Sequence, residues 1–435
     1  MDHLSVGVPL VALALSFQAV LAANQAQPEP MAGVEQETLA PTADELVAVA
    51  IECSPSVAAL RERLAAAGEM IGPAGALPDT MVELVLTDMG FPKYTVGTDQ
   101  MSMFGPEVRQ GIPYPGKREA RRQAARAETE IRGAELERLQ RFVAVQVRAL
   151  YARIYAVDRE RELLRAAREL LEMLSATVAA RYGAGQAEEE ALIKAQLEVS
   201  RLGERLDDAS AERDGLVAAL NRLRDLPGNA PLGKVVLLPP VSFPASPWEE
   251  LAVATSPEVA VKRVALEAAE RRVELAKLDL KPDMSAGAGV GLRGSFDPAV
   301  TLSFGLELPL WRKQKQQPMI RASERELAMA QAELRDAQAA ARSEAARLTA
   351  EWQRAEKQIQ RYRQAIVPQT SAAIDAARSS YLAGRGDFLT VVDDFNRWLD
   401  ARVQLASREA QRFSTWAELE ALIVPPAGSQ AGKEN

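Results

Sequence analysis

From Lys117 to Tyr182 the chain runs without a proline, and Gly133 is the only glycine in the stretch. Ala, Leu, Arg and Glu, the strongest helix formers, fill it. At about 1.5 Å per residue this segment is a helix of roughly 100 Å, several times the length of an ordinary globular helix. A helix of that length cannot bury its apolar stripe alone and needs lateral partners, as in a coiled coil. The fold class is therefore mainly α, and an aromatic content of only 5% fits this better than it fits an average soluble enzyme.

The chain also repeats itself. Ser54-Pro55-Ser56-Val57-Ala58 returns as Ser256-Pro257-Glu258-Val259-Ala260, and Leu77-Pro78-Asp79 as Lys281-Pro282-Asp283. Ile112-Pro113-Tyr114-Pro115-Gly116-Lys117 is echoed by Leu308-Pro309-Leu310-Trp311-Arg312-Lys313, and Tyr182-Gly183-Ala184-Gly185 by Tyr381-Leu382-Ala383-Gly384. An offset that stays near 200 residues marks two copies of one unit. Each unit reads as a moderate helix, two short strands, a very long helix, a glycine turn and a further helix. The first repeat spans 43–225, with a helix from Val57 to Leu77 stopped by Pro78, a β-hairpin over about 81–112, and helices over 117–182 and 187–224. The second spans 251–424, with helices over 258–281, 320–383 and 388–424 and a hairpin over about 284–310; Pro368 predicts a kink in the long helix. Residues 226–250, rich in Pro and Gly, are the linker, and 23–42 and 425–435 are flexible flanks.

The strands carry the functional signal. Val300, Leu302, Phe304, Leu306 and Leu308 alternate with Thr301, Ser303, Gly305 and Glu307, a period of two with one apolar and one polar face. Ala286 to Leu292 is a glycine-rich partner, with a turn over Gly294 to Pro298. In the first repeat Met81 to Leu86 and Met101 to Ile112 are the counterparts, joined by a loop from Thr87 to Gln100. Strands of about ten residues are long enough to cross a bilayer when tilted. In lipid every backbone amide must be paired, so such strands must close into a barrel without edges. Two hairpins supply four strands, too few for a barrel, whereas three subunits supply twelve.

No apolar run is long enough for a spanning helix apart from Val6 to Ala22, which suits a secretory h-region ending at Val20-Leu21-Ala22 and makes 1–22 a signal peptide, although Met1-Asp2-His3 lacks the usual basic residue. The 60 acidic and 52 basic side chains are interspersed, with no basic stripe for nucleic acid. One cysteine, Cys53, read as a small buried residue, and one histidine, His3, leave no disulfide framework, no metal centre of ordinary spacing and no cofactor. No P-loop, dinucleotide fingerprint or nucleophile elbow is present, so no catalytic residue is assigned.

The doubled plan, Gln110-Gly111-Ile112-Pro113-Tyr114-Pro115-Gly116-Lys117 at the strand exit and the two Tyr-x-Ala-Gly turns resemble a TolC-type outer membrane efflux protein over about Pro41 to Val424. The resemblance implies a homotrimer in the outer membrane, with a twelve-stranded barrel above a long periplasmic helical tunnel. It implies docking on a periplasmic adaptor protein and an inner-membrane pump of the RND type. Asp88-Met89-Gly90-Phe91 through Asp99-Gln100-Met101-Ser102-Met103 is similar to the outer-membrane components of copper and silver exporters. Met101 and Met103 fit either soft metal contacts or same-face residues of a strand. With one His and one Cys in the chain, selectivity would reside in the pump. Asp393 matches a position of the family's acidic ring at the periplasmic gate, Asp394 adjoins it and Thr390 stands where relatives can carry an acid, while Tyr182, Gly183, Gly185, Tyr381 and Gly384 match helix tips that meet the adaptor. A soluble or periplasmic coiled-coil scaffold, an efflux adaptor included, is the alternative; it requires helical hairpins without barrel strands.

Overall fold

The computed structural model describes residues 39–185, 188–243 and 247–423. The expected signal peptide, most of the 23–42 segment, Ala187, Val424 and the 425–435 tail lie outside the described residues.

The first repeat contains α1 (Ala43–Cys53), α2 (Pro55–Glu69), α3 (Ile71–Ala74), β1 (Met81–Thr87), β2 (Met103–Ile112), α4 (Lys117–Gly183) and α5 (Glu189–Leu223). The second contains α6 (Trp248–Thr255), α7 (Pro257–Leu278), β3 (Asp283–Arg293), β4 (Phe296–Glu307), α8 (Gln316–Arg361), a π-helical turn (Tyr362–Ile366), α9 (Val367–Leu382) and α10 (Phe388–Ile423). Each repeat thus starts with two helices where the sequence shows one. The break falls at Ser54-Pro55 and Ser256-Pro257: each proline takes a first-turn position, where its missing N–H costs nothing, and each serine adopts extended backbone. Thr42 and Glu45 close a capping box at the start of α1, with Thr42 N donating to Glu45 Oε2 at 2.8 Å. The predicted helix to Leu77 ends instead at Glu69, because Gly72 and Pro73 cannot continue it and support only the single turn of α3. Cys53, at the end of α1, is exposed rather than buried.

The long helices pack as coiled coils. Buried residues recur every seven positions: Val157, Leu164, Leu171 and Val178 on α4, Ala195, Leu202, Ala209 and Leu216 on α5, and Leu399, Ala406 and Phe413 on α10. A strict seven-residue repeat keeps its seam facing a partner only if the helices supercoil left-handedly. Pro368 has no N–H to give the preceding turn, and the expected kink takes the form of the π-helical turn immediately before α9. That turn is tied across the bundle, since Arg363 and Tyr155 both donate to Glu409, at 2.5 and 2.9 Å. Burial, reinforced by the neighbouring Glu409 carboxylate, pushes the Tyr155 hydroxyl up to about 12.

The linker is fastened rather than loose. Asp158 of α4 is buried and accepts from Arg213 Nε at 2.6 Å and from the Val235 amide at 3.0 Å. Arg213 also donates to the carbonyls of Leu232 and Gly233, both at 3.0 Å. Residues 232–235 of the linker therefore lie against α4 and α5, held by a charge that would otherwise be costly to bury.

Candidate functional site

The four strands form one antiparallel sheet in the order β1-β2-β3-β4, so β2 and β3 join the two hairpins. Its register sorts side chains onto two faces. Leu302 and Phe304 of β4 lie opposite Ala288 and Ala286 of β3, which lie opposite Val108 and Gln110 of β2. Val108 in turn faces Val82 of β1, with Leu84 opposite Pro106 and Leu86 opposite Phe104. This face is apolar from edge to edge, and it is bare: Phe304 is 85% exposed, and Val300, Leu302, Leu306, Val82 and Leu84 are also exposed. Gln110, at the rim, has its polar atoms engaged by the Pro78 carbonyl and the Thr80 hydroxyl. A continuous exposed apolar surface of this size belongs against another apolar phase.

The opposite face is polar. Arg109 and Ser303 both donate to Glu107, at 3.1 and 2.7 Å, across three strands. Glycine makes room for this arrangement: a Cβ on Gly287 would lie 2.4 Å from Ser303 Oγ, and one on Gly105 only 1.8 Å from the Val290 carbonyl oxygen. Three boundaries differ from the sequence reading. Leu308 falls one residue beyond β4, and the turn between β3 and β4 shrinks to Gly294-Ser295 because Gly294 takes a φ of 64°. Met101 lies in the turn before β2, so Met101 and Met103 are not a same-face pair on one strand. Among the described residues no group of His, Cys, Asp and Glu is arranged to hold a metal.

Below the sheet, Lys117 joins the repeats. The residue is 3% exposed, and its ammonium donates to Asp283 Oδ1 at 2.9 Å and to the Lys281 carbonyl at 3.0 Å and lies 3.9 Å from Asp279. Asp283 also accepts from the Tyr114 amide at 2.7 Å. Gly116 turns the chain into α4 with a φ of 95°. The Tyr-Pro-Gly-Lys sequence thus aims one cation at the start of β3, an arrangement that the spacing alone could not reveal because the partner lies 166 residues away.

At the far end the two helix tips meet. Gly185 and Gly384 have φ of 69° and 71°, the left-handed conformation that ends a helix and that glycine adopts without strain. The two turns differ in their tyrosines: Tyr182 is 43% exposed, whereas Tyr381 is 6% exposed and packs on Phe388 at 5.6 Å. Gly183 closes α4. Arg181, which the sequence reading passed over, donates to the carbonyls of Tyr381 and Leu382 at 3.0 and 2.9 Å and covers the Tyr381 ring at 4.8 Å. It caps the last turn of α9 with a cation, where the helix dipole favours one.

On α10, Val391, Val392, Phe395 and Leu399 face the core. Thr390 and Asp393 share the exposed side, followed by Arg397 and Asp400, while Asp394 is half-buried and accepts from Arg397 at 3.0 Å. Asp400 accepts from Arg205, which lies 3.8 Å from Glu160 of α4. Burial pushes the Glu160 carboxyl up, with Arg205 opposing.

Residues 248–423, the second repeat, match the family model described as Outer membrane efflux protein. That match covers the second repeat alone. The duplication carries the same plan into the first repeat, and solved channels resemble both halves together. A structure of the outer membrane protein VceC from Vibrio cholerae is 19% identical, with a TM-score of 0.73, covering 87% of this chain and 95% of that one. CusC structures, described in terms of folding and transmembrane channel formation, give a TM-score of 0.77 at 15% identity, covering 92% of this chain and 95% of theirs. The open state of the MtrE outer membrane channel of Neisseria gonorrhoeae gives 0.67 at 16% identity, over 89% and 90%. No curated protein matches in sequence. The chain therefore has the fold of these solved outer membrane channels.

Proposed function

We propose that this protein is the outer-membrane channel of a tripartite efflux system, a passive duct that catalyses no reaction. The observation that carries the proposal is the four-stranded sheet, apolar and exposed on one face, polar on the other, with β1 and β4 unpaired at its edges. Backbone groups left open at an edge are intolerable in lipid, and three copies close them into a cylinder of twelve strands. The apolar face then meets lipid and the Glu107–Arg109 face lines water. The stacked long helices continue the passage into the periplasm. In this reading an adaptor protein docks at the turns around Tyr182, Gly185 and Gly384, and an RND-type inner-membrane pump supplies the solute. Thr390, Asp393 and Asp394 set the charge at the periplasmic mouth. The likeness of the Asp88–Met103 segment to copper and silver systems favours heavy-metal ions as the exported class, with selection made by the pump. Fractionation and gel mobility test the whole reading. The protein should sediment with outer membranes, resist a salt wash and run as a trimer that heating converts to monomer; release by salt as a monomer overturns it.

A further inference from the structure

The duplication lets the contact made inside one chain predict the contact made between chains. Within the chain, the end of repeat one meets the start of repeat two: β2 pairs with β3, α4 packs on α7, and Lys117 beyond β2 clamps Asp283 at the start of β3. In a closed ring the end of repeat two must likewise meet the start of repeat one of the next copy. The residues equivalent to the clamp are Lys313, which corresponds to Lys117, and Asp79, which corresponds to Asp283. Both are exposed, and neither side chain has a hydrogen bond or ion pair within the described residues. The helices show the same asymmetry: α4 has α2 on one flank and α7 on the other, whereas α8 has α7, the counterpart of α2, and among the described residues no counterpart of α7.

We infer that the subunits of this protein join through a β4–β1 seam in which Lys313 binds Asp79 of the partner subunit, and that this seam has one register. The inference rests on the channel reading above and assigns its interface. Ile112 pairs with Met284 inside the chain. Transferred by the repeat, Leu308 stands opposite Thr80 of the partner subunit, Leu306 opposite Val82 of the partner subunit and Phe304 opposite Leu84 of the partner subunit. The transfer used only the loop sequences, yet it places apolar-face residues of β4 against apolar-face residues of β1, as strand pairing in one continuous wall requires. A slip of one residue would set Leu306 against Glu83 of the partner subunit. A slip of two keeps the faces matched but moves Lys313 out of line with the carboxylate, so the charge pair selects among the remaining registers. Lys313 in the seam, like Lys117 within the chain, also comes within reach of a backbone carbonyl, that of Leu77 of the partner subunit, which corresponds to Lys281.

Paired cysteines test the register. In a Cys53→Ser background, which removes the one native thiol, Leu306→Cys with Val82→Cys should give covalent dimers and trimers on oxidation. Phe304→Cys with Val82→Cys, displaced by two residues, should give several-fold less product. Equal yields, or more from the displaced pair, overturn the inference while a heat-sensitive trimer leaves the channel reading standing. If the unsubstituted protein is itself monomeric in membranes, both fall. Charge reversal supplies a second measurement: Lys313→Glu or Asp79→Lys alone should speed exchange between labelled and unlabelled subunits roughly tenfold, as for a desolvated charge pair losing its partner. The two together should restore slow exchange, and a double variant as fast as the single ones overturns the pairing.

Discussion

Lys117 carries a full charge into a site closed by Asp283, the Lys281 carbonyl and the turn at Gly116. Removing one member of such a pair strands the other, so Lys117→Met should destabilise the refolded protein by roughly 3 kcal/mol, seen as a lowered denaturant midpoint in detergent. Lys117→Arg should be intermediate, because the larger planar fork does not fit a site shaped for one point charge. Arg181 works at the opposite end. Arg181→Ala removes two charge-assisted hydrogen bonds from the last turn of α9 and uncovers Tyr381. Amide exchange at residues 381–385 should rise about tenfold, the equivalent of 1.4 kcal/mol, with no change in the strands. Both residues stand in plain view in the sequence, Lys117 at the end of the Tyr-Pro-Gly-Lys motif. Their partners are 164 to 201 residues away, a separation that composition and periodicity do not encode.

Among the elements, the long helices, both glycine turns and the alternating strand β4 were legible because their signals are local: absence of Pro and Gly, a positive-φ residue, and a period of two. The doubling of the first helix in each repeat was not read, since Ser-Pro can sit inside a loop, at a helix start or at a break, and packing decides among them. The heptad seam was expected only in general terms, because alanine holds many of its positions and alanine marks no face by itself. Charged residues beside that seam give the bundle a pH dependence. Burial raises the Glu160 carboxyl above its ordinary value, so ionising it costs folding free energy. Below the ordinary carboxylate pKa the group is protonated in folded and unfolded chains alike and the penalty vanishes; it grows as pH rises through the folded value. Glu160→Gln, which mimics the protonated form, should therefore raise the midpoint of helix melting at pH 7 and leave it unchanged at pH 4. Circular dichroism melts at the two pH values check this, and an equal shift at both would mean that the side chain acts by packing or hydrogen bonding instead.

At the scale of the whole molecule the proposed gate has a test independent of the proposed barrel. Asp393 lies on the exposed side of α10, next to Thr390 and one residue from the Asp394–Arg397 pair. In a single chain nothing distinguishes it from a solvated helix position, because its significance depends on two further copies about a threefold axis. If α10 lines the mouth, three Asp393 carboxylates concentrate negative potential in a narrow aqueous passage and favour cations there. Such a field is screened over about 10 Å in 0.1 M salt but over about 3 Å in 1 M salt. Asp393→Ala trimers in planar bilayers should thus lose cation preference in 0.1 M salt, while in 1 M salt their reversal potential should match that of the unsubstituted channel. Asp394→Ala should have the smaller effect, since Arg397 already neutralises that carboxylate within the same helix. Equal selectivity of the Asp393 variant and the parent at low salt would place this face of α10 away from the axis and against a neighbouring helix.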